Sequence, residues 1–167
     1  MRVSGRHLPD RAQSEPLVTR ESPDGAVAAA LLERYYAELD DRFPGGFELE
    51  RTVAAPVEQL TPPRGLFMVA RLRGLAVGCG AVRVLDADVA EIKRMWVDPA
   101  VRGAGVGRAL LAALEAGAAE LGARTVRLDT AASLTEALAL YRSAGYREIV
   151  PYNDNPYAAH WLERSLD

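Results

Sequence analysis

Hydrophobic and polar positions change their period several times along the chain, and each change predicts an element. Glu15 to Glu21 alternates weakly and reads as a first strand. Ala28, Leu31, Leu32, Tyr35 and Leu39 then recur at helical spacing, which predicts a helix running to about Asp40. Ser22-Pro23-Asp24 supplies an N-cap, a proline at the first helical position and an acid in the first turn. Phe43 to Gly65 contains Pro44, Pro56, Pro62 and Pro63 and reads as a long loop with at most one short helix. From Leu66 the period falls to two. Leu66–Leu72, Leu75–Leu85 and Val89–Val97 form an expected antiparallel meander, joined by the turn signals Arg73-Gly74 and Asp86-Ala87-Asp88.

After Asp98-Pro99 the helical period returns. Val106, Leu110, Ala113, Leu114, Gly117 and Leu121 trace one stripe, which Gly122 stops. Thr125–Thr130 is a short strand. Ser133 with Glu136 three residues on is a capping box for a helix whose Leu134, Ala137, Leu138 and Tyr141 share a face, ended by Gly145. Tyr146–Ile149 and Ala158–Leu166 read as final strands around the loop Pro151–Pro156. There is no internal repeat. Strands and helices in this order give an α/β fold.

Composition narrows the function classes. A length of 167 residues corresponds to about one domain, excluding a second independent catalytic domain. With 49% hydrophobic and 26% charged residues and mean hydropathy of -0.06, the chain is an ordinary globule with one sizeable core. Twenty Lys and Arg against 23 Asp and Glu leave a net charge of -3, without the basic excess that phosphate backbones attract, so no nucleic-acid partner is expected. The single Cys79 forms no internal disulfide, and one Cys with two His makes no zinc spacing, so no metal is expected. No window reaches 18 apolar residues, so no membrane partner is expected and the expected compartment is cytoplasmic. Residues 1–14 carry Arg2, Arg6 and Arg11 without an apolar stretch and read as a flexible tail, leaving 15–167 as the domain.

The chemistry concentrates at Arg102-Gly103-Ala104-Gly105-Val106-Gly107-Arg108. Three alternating glycines permit tight turning, aim successive N–H groups into one concavity and admit a bulky anion without Cβ obstruction. The following helix adds unsatisfied N–H groups and its positive dipole end, and Arg102 and Arg108 bracket the segment with guanidinium forks. The pattern describes a pyrophosphate cradle; the bland alternative is a glycine-rich turn without ligand. It is not a P-loop, because Gly107 is followed by Arg108-Ala109 rather than Lys-Ser/Thr. It is not a dinucleotide fingerprint, because the sixth position counted from Gly103 is Arg108.

Arg102-x-x-Gly105-x-Gly107 resembles the acyl-CoA pyrophosphate loop of the GNAT superfamily of N-acetyltransferases. Met95-Trp96-Val97-Asp98-Pro99 resembles the bulged fourth strand of that family and its exit, and Ala139 to Tyr146 its late helix and next strand. Element order matches from about Glu15 to Leu166, and Ala90 to Met95 is similar to a bacterial subgroup. The resemblance implies a single-domain GNAT fold, a mixed, mostly antiparallel sheet whose parallel fourth and fifth strands splay apart, flanked by helices. It implies acetyl-CoA as co-substrate, its pantetheine arm pairing with Met95 and Val97 and its pyrophosphate on the amides of Arg102, Gly103, Ala104, Gly105, Val106, Gly107 and Arg108. Many members carry Asn or Gln at the position of Leu134; here Ser133 either substitutes for that polar contact or only caps its helix.

The implied reaction is acetyl transfer to an amine acceptor, small molecule or protein, by direct attack in a ternary complex. The alternative from another class is an inactive acyl-CoA-binding sensor. Tyr141 stands where family members place the phenol that protonates the leaving thiolate, although its helical stripe alone suggests a core residue. Glu91 either acts as base or pairs with Lys93, with which it alternates along with Met95 on one strand face; Arg94 and Trp96 are expected on the other. Cys79 reads as a small buried hydrophobe and His160 as a structural histidine or proton relay. Tyr152 to Asn155 is either an acceptor contact or an ordinary polar turn. Monomer and homodimer both remain open.

Overall fold

The computed structural model describes residues 15–167; the tail expected over residues 1–14 lies outside them. The elements are β1 (Leu17–Glu21), α1 (Ala26–Arg42), β2 (Gly65–Leu72), β3 (Leu75–Asp86), β4 (Val89–Val97), α2 (Val106–Glu120), β5 (Thr125–Thr130), α3 (Thr135–Ser143), β6 (Arg147–Glu148) and β7 (His160–Ser165). They build a seven-stranded sheet in the order β1-β2-β3-β4-β5-β7-β6. Only β4 and β5 pair in parallel. Arg73 and Gly74 both take positive φ, 51° and 78°, the geometry of a tight hairpin whose twist matches its strands.

One face of the sheet packs on α2 and α3 through Leu66, Met68, Val82, Ile92, Leu110 and Leu114. The other packs on α1 through Phe67, Val69, Cys79, Ala81, Leu31 and Trp96. Alternation along β2 produces this division: its even-numbered residues face α2 and its odd-numbered ones face α1.

Three local expectations are corrected. α1 starts at Ala26 with Gly25 as its N-cap, because the Ser22 hydroxyl donates to Asp24 and the Ser22 carbonyl closes a turn with the Gly25 N–H. α3 has no capping box. Arg42, at the end of α1, takes the Ser133 carbonyl at 2.6 Å and the Glu136 carboxylate at 3.0 Å, and Leu134 becomes a cap without a side-chain bond. The proline-rich loop holds two 3-10 turns, Leu49–Arg51 and Val57–Leu60, rather than at most one.

β4 is bulged. Between the pairs Ala81–Lys93 and Cys79–Trp96, β3 advances by two residues while β4 advances by three. Arg94 takes up the extra residue at φ 54°. The bulge reverses alternation beyond it and corrects the expected faces. Met95 and Val97 join Ala90 and Ile92 on the α2 side. Trp96 packs in the α1-side cluster, on the side of the strand that Glu91 and Lys93 share. The sheet opens just ahead of the bulge: the β4–β5 ladder ends at Glu91–Arg127, whereas β5 pairs with β7 through Thr130. The splay expected between strands 4 and 5 is therefore present.

Candidate active site

The opening between β4 and β5 leads to a cavity of about 500 Å³. Met95 and Val97 form one wall, Leu134, Ala137, Leu140 and Tyr141 the opposite one, and the segment after β4 closes the end. In that segment Gly103 and Gly105 stand at φ 89° and 84°, and a Cβ on either would meet no protein atom within 4 Å. Their side of the backbone is open space that a side chain would fill. The first-turn amides of Val106, Gly107 and Arg108 have no intrahelical acceptor, since the ladder of α2 begins with the Ala109 N–H on Gly105 O. The Arg102 and Ala104 amides instead close turns on Pro99 and Val101.

Of the residues expected to hold the co-substrate, Met95, Val97, Arg102, Gly103, Gly105, Val106, Gly107 and Arg108 border this cavity together. Ala104 and Ser133 do not. The Arg102 guanidinium is engaged by both oxygens of Glu38 on α1, at 2.7 and 2.9 Å, and Glu38 also accepts from the Trp96 indole.

Tyr141 is positioned by the end of its own helix. Gly145, at φ 94°, lets the Tyr146 N–H reach Tyr141 O and the Gly145 N–H reach Arg142 O, a paired closure of the last turn. The apolar contact that accompanies such a closure is here the Tyr146 ring against the Tyr141 ring, centroids 5.9 Å apart. Tyr141 is 6% exposed, and its hydroxyl makes no hydrogen bond among the described residues. Burial first, then the charge of Asp129, pushes the phenol above its ordinary pKa, so it is protonated at neutral pH.

A second, smaller chamber of about 110 Å³ adjoins the first. Tyr35, Met95, Leu134, Ala137 and Tyr141 belong to the walls of both. The chamber is strongly aromatic: Tyr36 stacks on Phe47 at 5.5 Å, and Tyr157 lies 5.4 Å from Phe43 and 5.1 Å from Phe47. Its ionic groups are Lys93, Arg94 and Asp129.

Asp129 was not singled out in the sequence. Its carboxylate accepts from Asn153 Nδ2 at 2.6 Å and Asn155 Nδ2 at 3.0 Å, and no cation pairs with it among the described residues. The available signal was a carboxylate next to the last position of a strand that leaves its parallel neighbour.

Glu91 is 1% exposed and borders neither chamber. Oε1 meets Arg83 Nε at 2.9 Å and Lys93 Nζ at 3.5 Å, while Oε2 accepts from the Tyr152 hydroxyl at 2.7 Å. The loop Tyr152–Asn155 thus braces two carboxylates from behind, and Asn155 alone of the four reaches the chamber wall. Cys79 is fully buried, its thiol pushed up to about 12 by desolvation. His160 bonds Glu148 through Nδ1 at 2.6 Å and borders neither chamber.

A sheet parted between one parallel strand pair, with a glycine-lined helix start at the mouth, is the arrangement that the resemblance in the sequence implies. The chain belongs to the Acetyltransferase (GNAT) family, whose model matches residues 32–146. It is 33% identical over 153 residues to an IAA acetyltransferase of Azospirillum brasilense, covering 89% of this chain and 97% of that protein. It is 33% identical to the uncharacterized N-acetyltransferase YjgM of Escherichia coli, over 83% of this chain and 86% of that one. A solved Klebsiella pneumoniae protein assigned as an acyl-CoA N-acyltransferase superposes with a TM-score of 0.74 at 31% identity, over 92% of this chain and 99% of its own. A GNAT acetyltransferase from Elizabethkingia anophelis, solved with acetyl-CoA bound, shares the fold with a TM-score of 0.64 at 19% identity, over 90% and 98% of the two chains. No helix among the described residues is long and apolar enough to cross a membrane.

Proposed function

We propose that this protein transfers an acetyl group from acetyl-CoA to an amine by direct attack, with both substrates bound at once. The observation that carries the reading is Tyr141 in the wall common to the two chambers. The larger chamber takes the CoA arm between Met95, Val97 and α3, with pyrophosphate at the Gly103–Arg108 turn. The smaller one takes the acceptor. The amine nitrogen attacks the thioester carbonyl, the C–S bond breaks, the departing sulfur takes its proton from Tyr141, and the phenolate is restored by the proton that the nitrogen sheds on becoming an amide. A thiol with a pKa of about 8.5 is a better leaving group when it departs neutral, and a raised phenol stays protonated to supply that proton.

A lysine-like amine is neutral in only about one part in several thousand at pH 7, a cost of roughly 4 to 5 kcal/mol. A base must therefore take its proton. The sequence reading gives that role to Glu91, but a base must come within hydrogen-bond reach of the acceptor. Burial behind Lys93 and Tyr152 favours Glu91 as the group that orients them. Asp129, in the acceptor wall, takes the proton directly or through one water.

Thiol release from acetyl-CoA across an amine panel tests the reaction. Amine-dependent release is expected; acetyl-CoA binding with no release from any amine would instead favour a sensor. In Asp129→Asn, kcat/KM should fall most at low pH, where neutral amine is scarce, and recover toward the amine pKa. A deficit equal at every pH would remove Asp129 from proton transfer.

Gly105→Val tests the cradle separately. Its Cβ would enter the space assigned to pyrophosphate, and β-branched residues disfavour φ near 84°. Calorimetry should show the acetyl-CoA Kd raised at least tenfold, about 1.4 kcal/mol, with far-UV circular dichroism unchanged. An unaltered Kd in the folded variant would place the pyrophosphate elsewhere.

A further inference from the structure

The charges of the smaller chamber do not cancel one another. Arg94 points its guanidinium toward the loop, where Nη2 donates to Ala55 O at 3.0 Å, and no carboxylate pairs with it among the described residues. That is unusual in this protein, where Arg34, Arg42, Arg71, Arg83, Arg102 and Arg164 each pair with an acid. Asp129 is the mirror case, held by two neutral amides and no cation. Lys93 is already turned to Glu91. A half-buried cation and a half-buried anion, each hydrogen-bonded yet lacking a counter-ion, border one cavity whose other lining residues are mostly aromatic or aliphatic.

From this we infer that the acceptor is a small amino-acid-like zwitterion with a compact apolar side chain. Its ammonium sits against Asp129, its carboxylate against Arg94, and its side chain between Tyr36, Phe47 and Tyr157. This deepens the acetyl-transfer reading and rests on it. A buried charge without a partner is costly, and a ligand bearing the opposite charge at each point removes both costs together. A guanidinium takes a carboxylate with two parallel N–H donors, which fixes orientation as well as charge. A planar carboxylate therefore suits Arg94 better than a neutral hydroxyl does. Size limits that side chain, because about 110 Å³ is less than the roughly 150 Å³ of a cavity known to hold one benzene ring, so a compact aliphatic group suits it better than a phenyl ring. The chamber excludes a multi-ring amine and admits a compact one extending toward the junction at Tyr141. Asp129 then has two successive duties on one atom pair: it holds the ammonium and accepts its proton. The product amide is no longer cationic, so it loses the Asp129 attraction, which favours its release.

The test compares matched acceptors that differ only at the carboxylate: L-leucine, L-leucinamide and isopentylamine, with L-phenylalanine and phenethylamine as a second series. Spermidine serves as a carboxylate-free control. Thiol release is measured with saturating acetyl-CoA, and binding to the CoA-loaded protein is measured by calorimetry. The zwitterions should exceed their decarboxylated partners at least tenfold in kcat/KM and in affinity. In Arg94→Gln this ratio should collapse to below threefold, while Arg94→Lys should keep most of it. The conservative variant covers the case in which Gln at a positive φ fails to fold. Equal or better use of isopentylamine and phenethylamine would overturn the zwitterion assignment and leave acetyl transfer standing. Thiol release from spermidine, with no binding of either amino acid, would do the same. Absence of release from every amine, with the amino acids still bound tenfold more tightly than their decarboxylated partners, would overturn the transfer reading and keep the ligand class.

Discussion

Tyr141→Phe is expected to lower kcat by roughly 10- to 1000-fold while leaving acetyl-CoA affinity and melting temperature almost unchanged, the loss being at or just below the usual range for one general acid. The variant keeps the ring that packs against Tyr146 and removes a hydroxyl that no described residue engages. Neither packing nor hydrogen bonding therefore gives it much structural value. In the proposed reaction its proton is another matter, because without it the sulfur leaves as an anion between Met95 and Leu134. Saturating acceptor and chemistry shown to be rate-limiting are the conditions for the comparison, and equal kcat values would return Tyr141 to the core. The pH profile adds a constraint with a definite sign. Burial raises the folded phenol above its unfolded value of about 10. Its neutral form is thus fully retained below pH 10, and the loss of both activity and stability from its ionisation begins only above that value. A wild-type alkaline limb falling near pH 8 would belong to a different group.

Glu91→Ala should produce the largest loss of stability, about 3 to 5 kcal/mol, the range seen when one partner of a buried ion pair is removed. Arg83 is 7% exposed and keeps only Ala54 O and Gln59 as partners once the carboxylate is gone, and Lys93 loses its nearest anion. For a domain of this size each kcal/mol moves Tm by about 2 to 4 °C, so calorimetry should register a fall of roughly 6 to 20 °C. Glu91→Gln, which still accepts from Tyr152, should lose less. Activity of the folded Gln variant, measured well below its transition, separates the two roles: a deficit independent of pH fits a positioning carboxylate, and one confined to low pH with unchanged Tm fits a base.

Strand limits were legible wherever a period of two met a clear turn. Val89–Val97 and Thr125–Thr130 emerged with the bounds expected of them. The glycine turn was legible because its chemistry is local: a positive φ, an open side and a helix start all belong to consecutive residues. Capping was not: the Ser22 hydroxyl is turned to Asp24, and Arg42, 91 residues from Ser133, takes the Ser133 carbonyl together with the Glu136 carboxylate that a capping box would use. The faces of β4 were misread past Lys93 because an extra residue in one strand is visible only against its neighbour. Asp129 was missed for a related reason. Its significance depends on β5 leaving β4 just where Asn153 and Asn155 arrive from the far loop, a meeting with no trace in the pattern of either segment.

The bulge at Arg94 makes β4 a strand measured by its length more than by its letters. One residue decides which half of the strand looks at which layer: with it, Met95 and Val97 turn toward the larger chamber and Trp96 toward α1. Were that residue deleted, restored alternation would carry the indole toward the chamber, turn the two backbone positions that flank it away, and remove the guanidinium from the acceptor wall. Conservative replacement within Lys93–Val97 perturbs one contact at a time, whereas a change of length there exchanges the two sides of the protein at once. The same feature sets the boundary for redesign: substitution around Arg94 alters the lining of the smaller chamber, while the count of residues between the β3 pairs must stay fixed for either chamber to keep its walls.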